Sequence, residues 1–150
     1  MKNFNKPKTA GFTLLEILLV VAAIGILAGI VVFAINPAKQ LADTRDAQRK
    51  VDVNTILNAV WQYAIDNGGS VPDTITTTQT HICQTGISNC GALIDLSVLT
   101  DEGKYLVIMP SDPQVDSTSI TTSYTIGFNE YGHVTVEAPY SELVNVSVTR

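Results

Sequence analysis

From Phe12 to Ile35 the chain (FTLLEILLVVAAIGILAGIVVFAI) is apolar except at Thr13 and Glu16. Ile17–Ile35 has no polar side chain at any helical phase, whereas a core helix of a small soluble domain keeps a solvated stripe. At the helical rise this stretch spans roughly 28 Å, about the thickness of a bilayer's hydrocarbon core. It predicts a membrane-spanning helix. The preceding segment, Met1–Gly11 (MKNFNKPKTAG), is polar and basic, with Lys2, Lys6 and Lys8 and no acid. Lysines before the span and none inside it predict a cytoplasmic leader and an outward-facing remainder. A signal peptide cut beyond its apolar segment is the rival reading. Its apolar region would be shorter, about 7–15 residues, and Ile35-Asn36-Pro37-Ala38 is a poor small-x-small site.

The period changes after Pro37. Asn36-Pro37 is expected to weaken the helix, because Pro37 lacks an N–H and clashes with the carbonyl four residues back. Gly25 and Gly29 also lower helicity locally. A second helical pattern runs from Ala38 to about Asp66. Its first part is charged (Lys39, Asp43, Arg45, Asp46, Arg49, Lys50, Asp52), with Lys39/Asp43 and Asp46/Lys50 four apart, and predicts a solvated surface. In its second part Val53, Ile56, Leu57, Val60 and Ala64 recur on one helical face, flanked by Trp61 and Tyr63. That face is expected to pack on a sheet. Asn67-Gly68-Gly69 and then Pro72 stop the helix.

The C-terminal half has weaker signals. Thr74–Thr80 reads as an exposed threonine-rich loop, Gly91–Thr100 as a short helix carrying Leu93, Leu96 and Leu99, and Lys104–Met109 as a strand stopped by Pro110. Ser117–Ser123 reads as a polar turn. Ser123–Phe128 and His133–Glu137 flank Asn129-Glu130-Tyr131-Gly132 and predict a hairpin. Alternation puts Tyr124, Ile126 and Phe128 on one face, joined by Val134 and Val136. Val144–Val148 alternates and predicts a further strand. The expected organisation is a basic leader over 1–11, a transmembrane helix over 12–35, and an outer globular domain over 36–150 that includes the amphipathic helix 38–66. The fold class expected is α+β: a long N-terminal helix, its first half membrane-spanning and its second half amphipathic, packed on a small antiparallel sheet.

Composition narrows the function. A chain of 150 residues has room for one modest core. Its formal net charge is −5, from 14 acidic and 9 basic side chains, and three of the basic ones lie in the leader. From Val51 onward only Lys104 and Arg150 are basic. Nucleic-acid surfaces need a basic stripe, so no nucleic-acid partner is expected. Cys83 and Cys90 form an even pair in an outward-facing domain, which favours one disulfide over two buried free thiols. Zinc is disfavoured, because His81 is the only nearby nitrogen ligand.

The junction Ala10-Gly11-Phe12-Thr13-Leu14-Leu15-Glu16 closely resembles the processing and assembly signature of type IV pilins and type II secretion pseudopilins, commonly written G-F-T-L-x-E. The resemblance is strongest over residues 8–35; beyond them only the layout of long helix, variable loop and terminal antiparallel sheet persists. It implies that a prepilin peptidase cuts between Gly11 and Phe12, that the new Phe12 amine is N-methylated, and that Glu16 of one subunit neutralises the amine of its neighbour during assembly. It also implies an inner-membrane assembly platform and other copies of the chain as partners. In related filaments the helix loses order between a glycine and a proline here, which would fall between Gly25 and Pro37. Many pilins have a proline where this chain has Phe33.

The residues fit those roles physically. Gly11 has no Cβ and lets the chain enter a protease cleft extended. A carboxylate in a membrane span costs about 2.5 kcal/mol or more, so Glu16 needs a partner, or a position near enough to the helix start to reach the headgroups. Phe12 and Glu16 are four residues apart, so a pair within one chain is also within reach. Gly25 and Gly29 have the small-x-x-x-small spacing that lets helices approach, and local softening is an equal reading.

Other candidates carry less. Asp101, Asp112 and Asp116 are acidic, as in the calcium loop of some pseudopilins, but have no calcium-loop spacing, and Asp112-Pro113 is turn chemistry. Asn145-Val146-Ser147 matches a glycosylation sequon within a predicted strand. His81 and His133 are isolated, and no catalytic constellation or cofactor motif is present. The expectation is a structural, non-enzymatic, cofactor-free pilus subunit: a single-pass precursor in the cytoplasmic (inner) membrane that moves to the cell surface. A secretion pseudopilin is the alternative. A DNA-uptake minor pilin is disfavoured by the acidic surface.

Overall fold

The computed structural model describes residues 11–116 and 118–150. The basic leader to Ala10, and Ser117 of the expected polar turn, lie outside the described residues. The chain divides into two compact units, one ending at Gln40 and the other comprising Leu41–Arg150. The layout is α+β, as the periodicity predicts.

In the first unit helix α1, Leu14–Ile35, buries none of its residues. It is long and apolar enough to cross a membrane. It stays helical through Gly25, Gly29 and Phe33 and ends at Asn36, whose backbone is left-handed at φ 48°. The helical run is interrupted at Asn36-Pro37, the point at which the sequence is expected to weaken it. Pro37 does not distort a helix interior; it is the first residue of helix α2, Pro37–Asp66, where its missing N–H costs nothing. The Asn36 side-chain oxygen accepts from the Lys39 N–H at 3.4 Å, as an N-cap does.

The second unit is built on a four-stranded antiparallel sheet in the order β1–β2–β3–β4. Its strands are β1 (Thr80–Cys83), β2 (Thr121–Phe128), β3 (Val134–Ala138) and β4 (Val146–Thr149). The core joins the α2 face of Val53, Ile56, Leu57 and Val60 to Tyr124, Ile126, Val134 and Val136 of the sheet. Each such aliphatic side chain contributes about 1.5–3 kcal/mol on burial. The β2–β3 hairpin turns on Asn129, whose side-chain oxygen accepts the N–H groups of Tyr131 and His133 at 3.0 and 2.9 Å. Gly132 takes the left-handed conformation that closes the turn, at φ 81°.

Four local expectations are corrected. The polar turn expected over Ser117–Ser123 stops short, because Thr121 already opens β2. The threonine-rich segment does not end as loop, because Thr80 opens β1, with Ile82 fully buried. The helix expected over Gly91–Thr100 shrinks to α3, Ser97–Thr100, begun by an Asp95 carboxylate that accepts the Ser97 N–H at 2.8 Å. Lys104–Met109 is not a strand. After a short 3-10 turn, Asp101–Gly103, the Leu106 N–H bonds to Leu99 and the Met109 N–H to the Thr85 hydroxyl, so loop partners replace a ladder. Cys83 and Cys90 are joined by a disulfide with Cα atoms 5.6 Å apart, closing the loop that follows β1.

One glycine is required by its neighbours. Gln79 lies against Gly127 just before β1, and its side chain reaches across β2, where Nε2 donates to the Thr135 carbonyl at 3.3 Å. A Cβ on Gly127 would meet the Gln79 side-chain oxygen and lie 3.2 Å from the Gln79 backbone. The side chain can swing away; the backbone must shift. Gly127→Ala is therefore expected to destabilise this unit by about 1–3 kcal/mol, the usual cost of overpacking. Urea denaturation checks this, and an unchanged midpoint would refute the close approach.

Candidate processing and assembly site

At the head of α1, residues 11–13 are non-helical and Leu14 begins the helix. Thr13 is the N-cap: its backbone is extended (φ −79°, ψ 151°), and its hydroxyl oxygen accepts the Glu16 N–H at 3.2 Å. The Thr13 carbonyl receives the first intrahelical bond, from the Ile17 N–H at 3.3 Å. The fold thus places Gly11 and Phe12 just outside the helix and Glu16 in its first turn, where the positive end of the helix dipole favours a carboxylate. Phe12 is 79% exposed. A Cβ added at Gly25 or Gly29 would meet nothing within 4 Å, so both present open backbone on α1.

Residues 6–32 match the family model described as the prokaryotic N-terminal methylation motif. The chain carries the type IV pilin and pseudopilin signature. Comparison with curated proteins and with solved structures gave no match. The pilin signature spans the capped junction and most of α1, and the type it marks is structural. Thr13 is the residue whose role sequence reasoning missed. The signal was there, because Thr13-x-x-Glu16 has the spacing of a capping box.

In the charged part of α2, Lys39, Asp43 and Lys50 are exposed as expected, but a second cluster, in the unit Leu41–Arg150, corrects the expectation of a solvated surface at three positions. Asp46, Arg49 and Asp52 are buried, and Arg49 is 0% exposed. The Arg49 guanidinium grips Asp112 with two bonds, Nε to Oδ2 at 2.7 Å and Nη2 to Oδ1 at 3.0 Å. It also donates to Asp46 at 2.8 Å, to Glu142 at 3.2 Å and to Gln114 at 2.7 Å. Arg45 holds Glu142 from the other side at 2.6 and 2.7 Å. The Asp46 carboxylate turns from Lys50 to Arg49 and accepts the backbone N–H groups of Glu142, Leu143 and Val144. Nearby, the buried Tyr124 hydroxyl donates to Asp52 at 2.7 Å.

The electrostatics follow from these partners. Burial alone would raise the Asp46 carboxyl. The N–H groups of Glu142 and Leu143, then Arg49 and the Val144 N–H, outweigh it and hold the group at about 2. Glu142 is also held down at about 2, first by Arg45 and then, against desolvation, by Arg49. Arg49 is pushed upward, chiefly by Asp112. Burial and then Asp52 raise Tyr124. The cluster fastens α2 to the loops at Asp112–Gln114 and Glu142–Val144. Asp112, weighed above as a calcium ligand, points its carboxylate at Arg49. Asp116 accepts from the Thr118 N–H and hydroxyl at 2.8 and 2.7 Å.

Proposed function

We propose that this chain is the structural subunit of a type IV pilus-like extracellular filament, made as a membrane-anchored precursor and cut between Gly11 and Phe12. One juxtaposition supports the reading: a non-helical Gly11-Phe12 junction directly before a capped helix whose exposed residues are apolar, with a single acid, Glu16, in its first turn. Prepilin peptidase would remove the basic leader on the cytoplasmic side and leave a cationic amine on Phe12, the site of methylation. Copies of the chain would then bundle their α1 helices, Glu16 of one meeting the Phe12 amine of the next. The inner-membrane assembly platform would extract them from the bilayer. Gly25 and Gly29 would let the helices approach, while the unit Leu41–Arg150 would face outward.

The test is to shear filaments from cells that make the chain and measure the subunit's mass. The expected result is a product that starts at Phe12 and carries one added methyl group. Recovery only from the membrane fraction, cut at the same bond, would favour the secretion pseudopilin. An intact Met1 start, or a terminus beyond Ile35, would overturn the processing itself.

A further inference from the structure

The junction's conformation depends on one hydroxyl. Helices propagate at little cost once nucleated, so something must keep α1 from extending backwards over the bond between Gly11 and Phe12. Upstream, Ala10 is the strongest helix former among the residues and Pro7 is the first that would block a helix from behind. Gly11 disfavours the helix by about 1 kcal/mol but does not stop it. The cap at Thr13 does. Its extended backbone ends the helix, while its hydroxyl takes the Glu16 N–H, a first-turn donor that would otherwise lack a partner.

Sequence spacing supports the same boundary. Thr13-x-x-Glu16 is the spacing of a capping box, and Phe12 and Ile17 stand at the positions of a hydrophobic staple, before the cap and at the fourth helical residue. The processing signature is therefore also a helix-start signal. At the membrane edge such a cap gains value, because water is scarce and an unpaired N–H is more costly there than in bulk solvent.

We propose that Thr13 is a positioning residue for proteolytic processing: its hydroxyl fixes the helix start one residue beyond itself and so keeps the bond between Gly11 and Phe12 outside the helix, open to the peptidase. This rests on the reading that the cut falls at that bond. Thr13 does not touch the reacting carbonyl in this account; it sets the fraction of chains whose junction is open. A substrate whose competent conformation is only partly populated binds more weakly by that fraction, so the effect belongs in KM and not in kcat.

The experiment uses the full chain in proteoliposomes with purified prepilin peptidase. Thr13→Val keeps the branched shape and removes the hydroxyl. It is expected to raise KM three- to tenfold and leave kcat within about twofold, in line with the usual worth of an N-cap. Thr13→Ser and Thr13→Asn, which cap with differently shaped side chains, are expected to restore KM. Cα chemical shifts in micelles are expected to show helix spreading over Ala10–Thr13 in Thr13→Val alone. Unchanged KM in Thr13→Val would overturn the proposal, as would an unmoved helix start. Rescue by serine but not by asparagine would also overturn it, since the peptidase would then be reading the hydroxyl itself. If the wild-type chain is not cut at Gly11–Phe12, the processing reading fails instead, and the chemical shifts still test whether Thr13 sets the helix start.

Discussion

Arg49→Ala is expected to lower the thermal midpoint of the globular unit by roughly 10–20 °C, the equivalent of about 3–5 kcal/mol. The guanidinium is wholly buried, and its burial is tolerable only because Asp46, Asp112, Glu142 and Gln114 meet its donors. Removing it leaves carboxylates whose desolvation has already been incurred. They do not suffer equally. Asp46 keeps the N–H groups of Glu142 and Leu143, whereas among the described residues the Asp112 carboxylate retains only the Gln114 N–H at 2.9 Å. Asp112 is therefore the orphan that dominates the loss, and Arg49→Ala with Asp112→Leu is expected to recover part of it. Arg49→Lys keeps the charge but cannot form the two-pronged grip, so an intermediate midpoint is expected. A near-ultraviolet circular dichroism melt of the detergent-solubilised chain measures all three. An Arg49→Ala midpoint within about 2 °C of wild type would mean that the cluster contributes little, as exposed ion pairs do.

The contrast between this cluster and the junction explains what the sequence could reveal. The features at the junction are local: a cap reaches three residues, and an apolar helix declares itself by length alone. The buried stripe of α2 was equally legible, because Val53, Ile56, Leu57, Val60 and Ala64 repeat at the helical period. Arg49 was not. Its partners Asp112 and Glu142 lie 63 and 93 residues away, and a charge at helical spacing looks the same whether it faces water or a folded-back loop. Strand β1 was missed for a related reason. Four residues, Thr80–Cys83, carry too short an alternation to stand out from a threonine-rich loop, and they become a strand only by pairing with β2. Lys104–Met109 failed the other way. Its composition suits a strand, but its N–H groups find Leu99 and Thr85 instead of a ladder.

Glu16→Leu is expected to leave membrane insertion, the cut at Gly11 and the fold of Leu41–Arg150 intact, yet reduce sheared filament at least tenfold. Insertion becomes easier, by up to about 2.5 kcal/mol, once the carboxylate is gone, so a loss of filament cannot be blamed on failed anchoring. In the proposed filament, moving α1 from lipid to a bundle of its own copies would bring little hydrophobic gain, because acyl chains are as apolar as leucine. The exchange must be favoured by packing and by contacts that lipid cannot make. A carboxylate meeting a neighbour's cationic amine is such a contact. A hydrogen bond to a charged group contributes about 1.5–3 kcal/mol, and 1.4 kcal/mol is already tenfold in the equilibrium for each added subunit. Glu16→Gln separates charge from shape: it keeps hydrogen-bonding capacity and length, so a loss close to that of leucine is expected if charge dominates. Quantitative immunoblots of sheared and membrane fractions read the distribution, and mass spectrometry checks that each variant starts at Phe12. Wild-type filament yield from Glu16→Leu would sink the charge-pair account and leave packing at Gly25 and Gly29 as the force that draws the helices together.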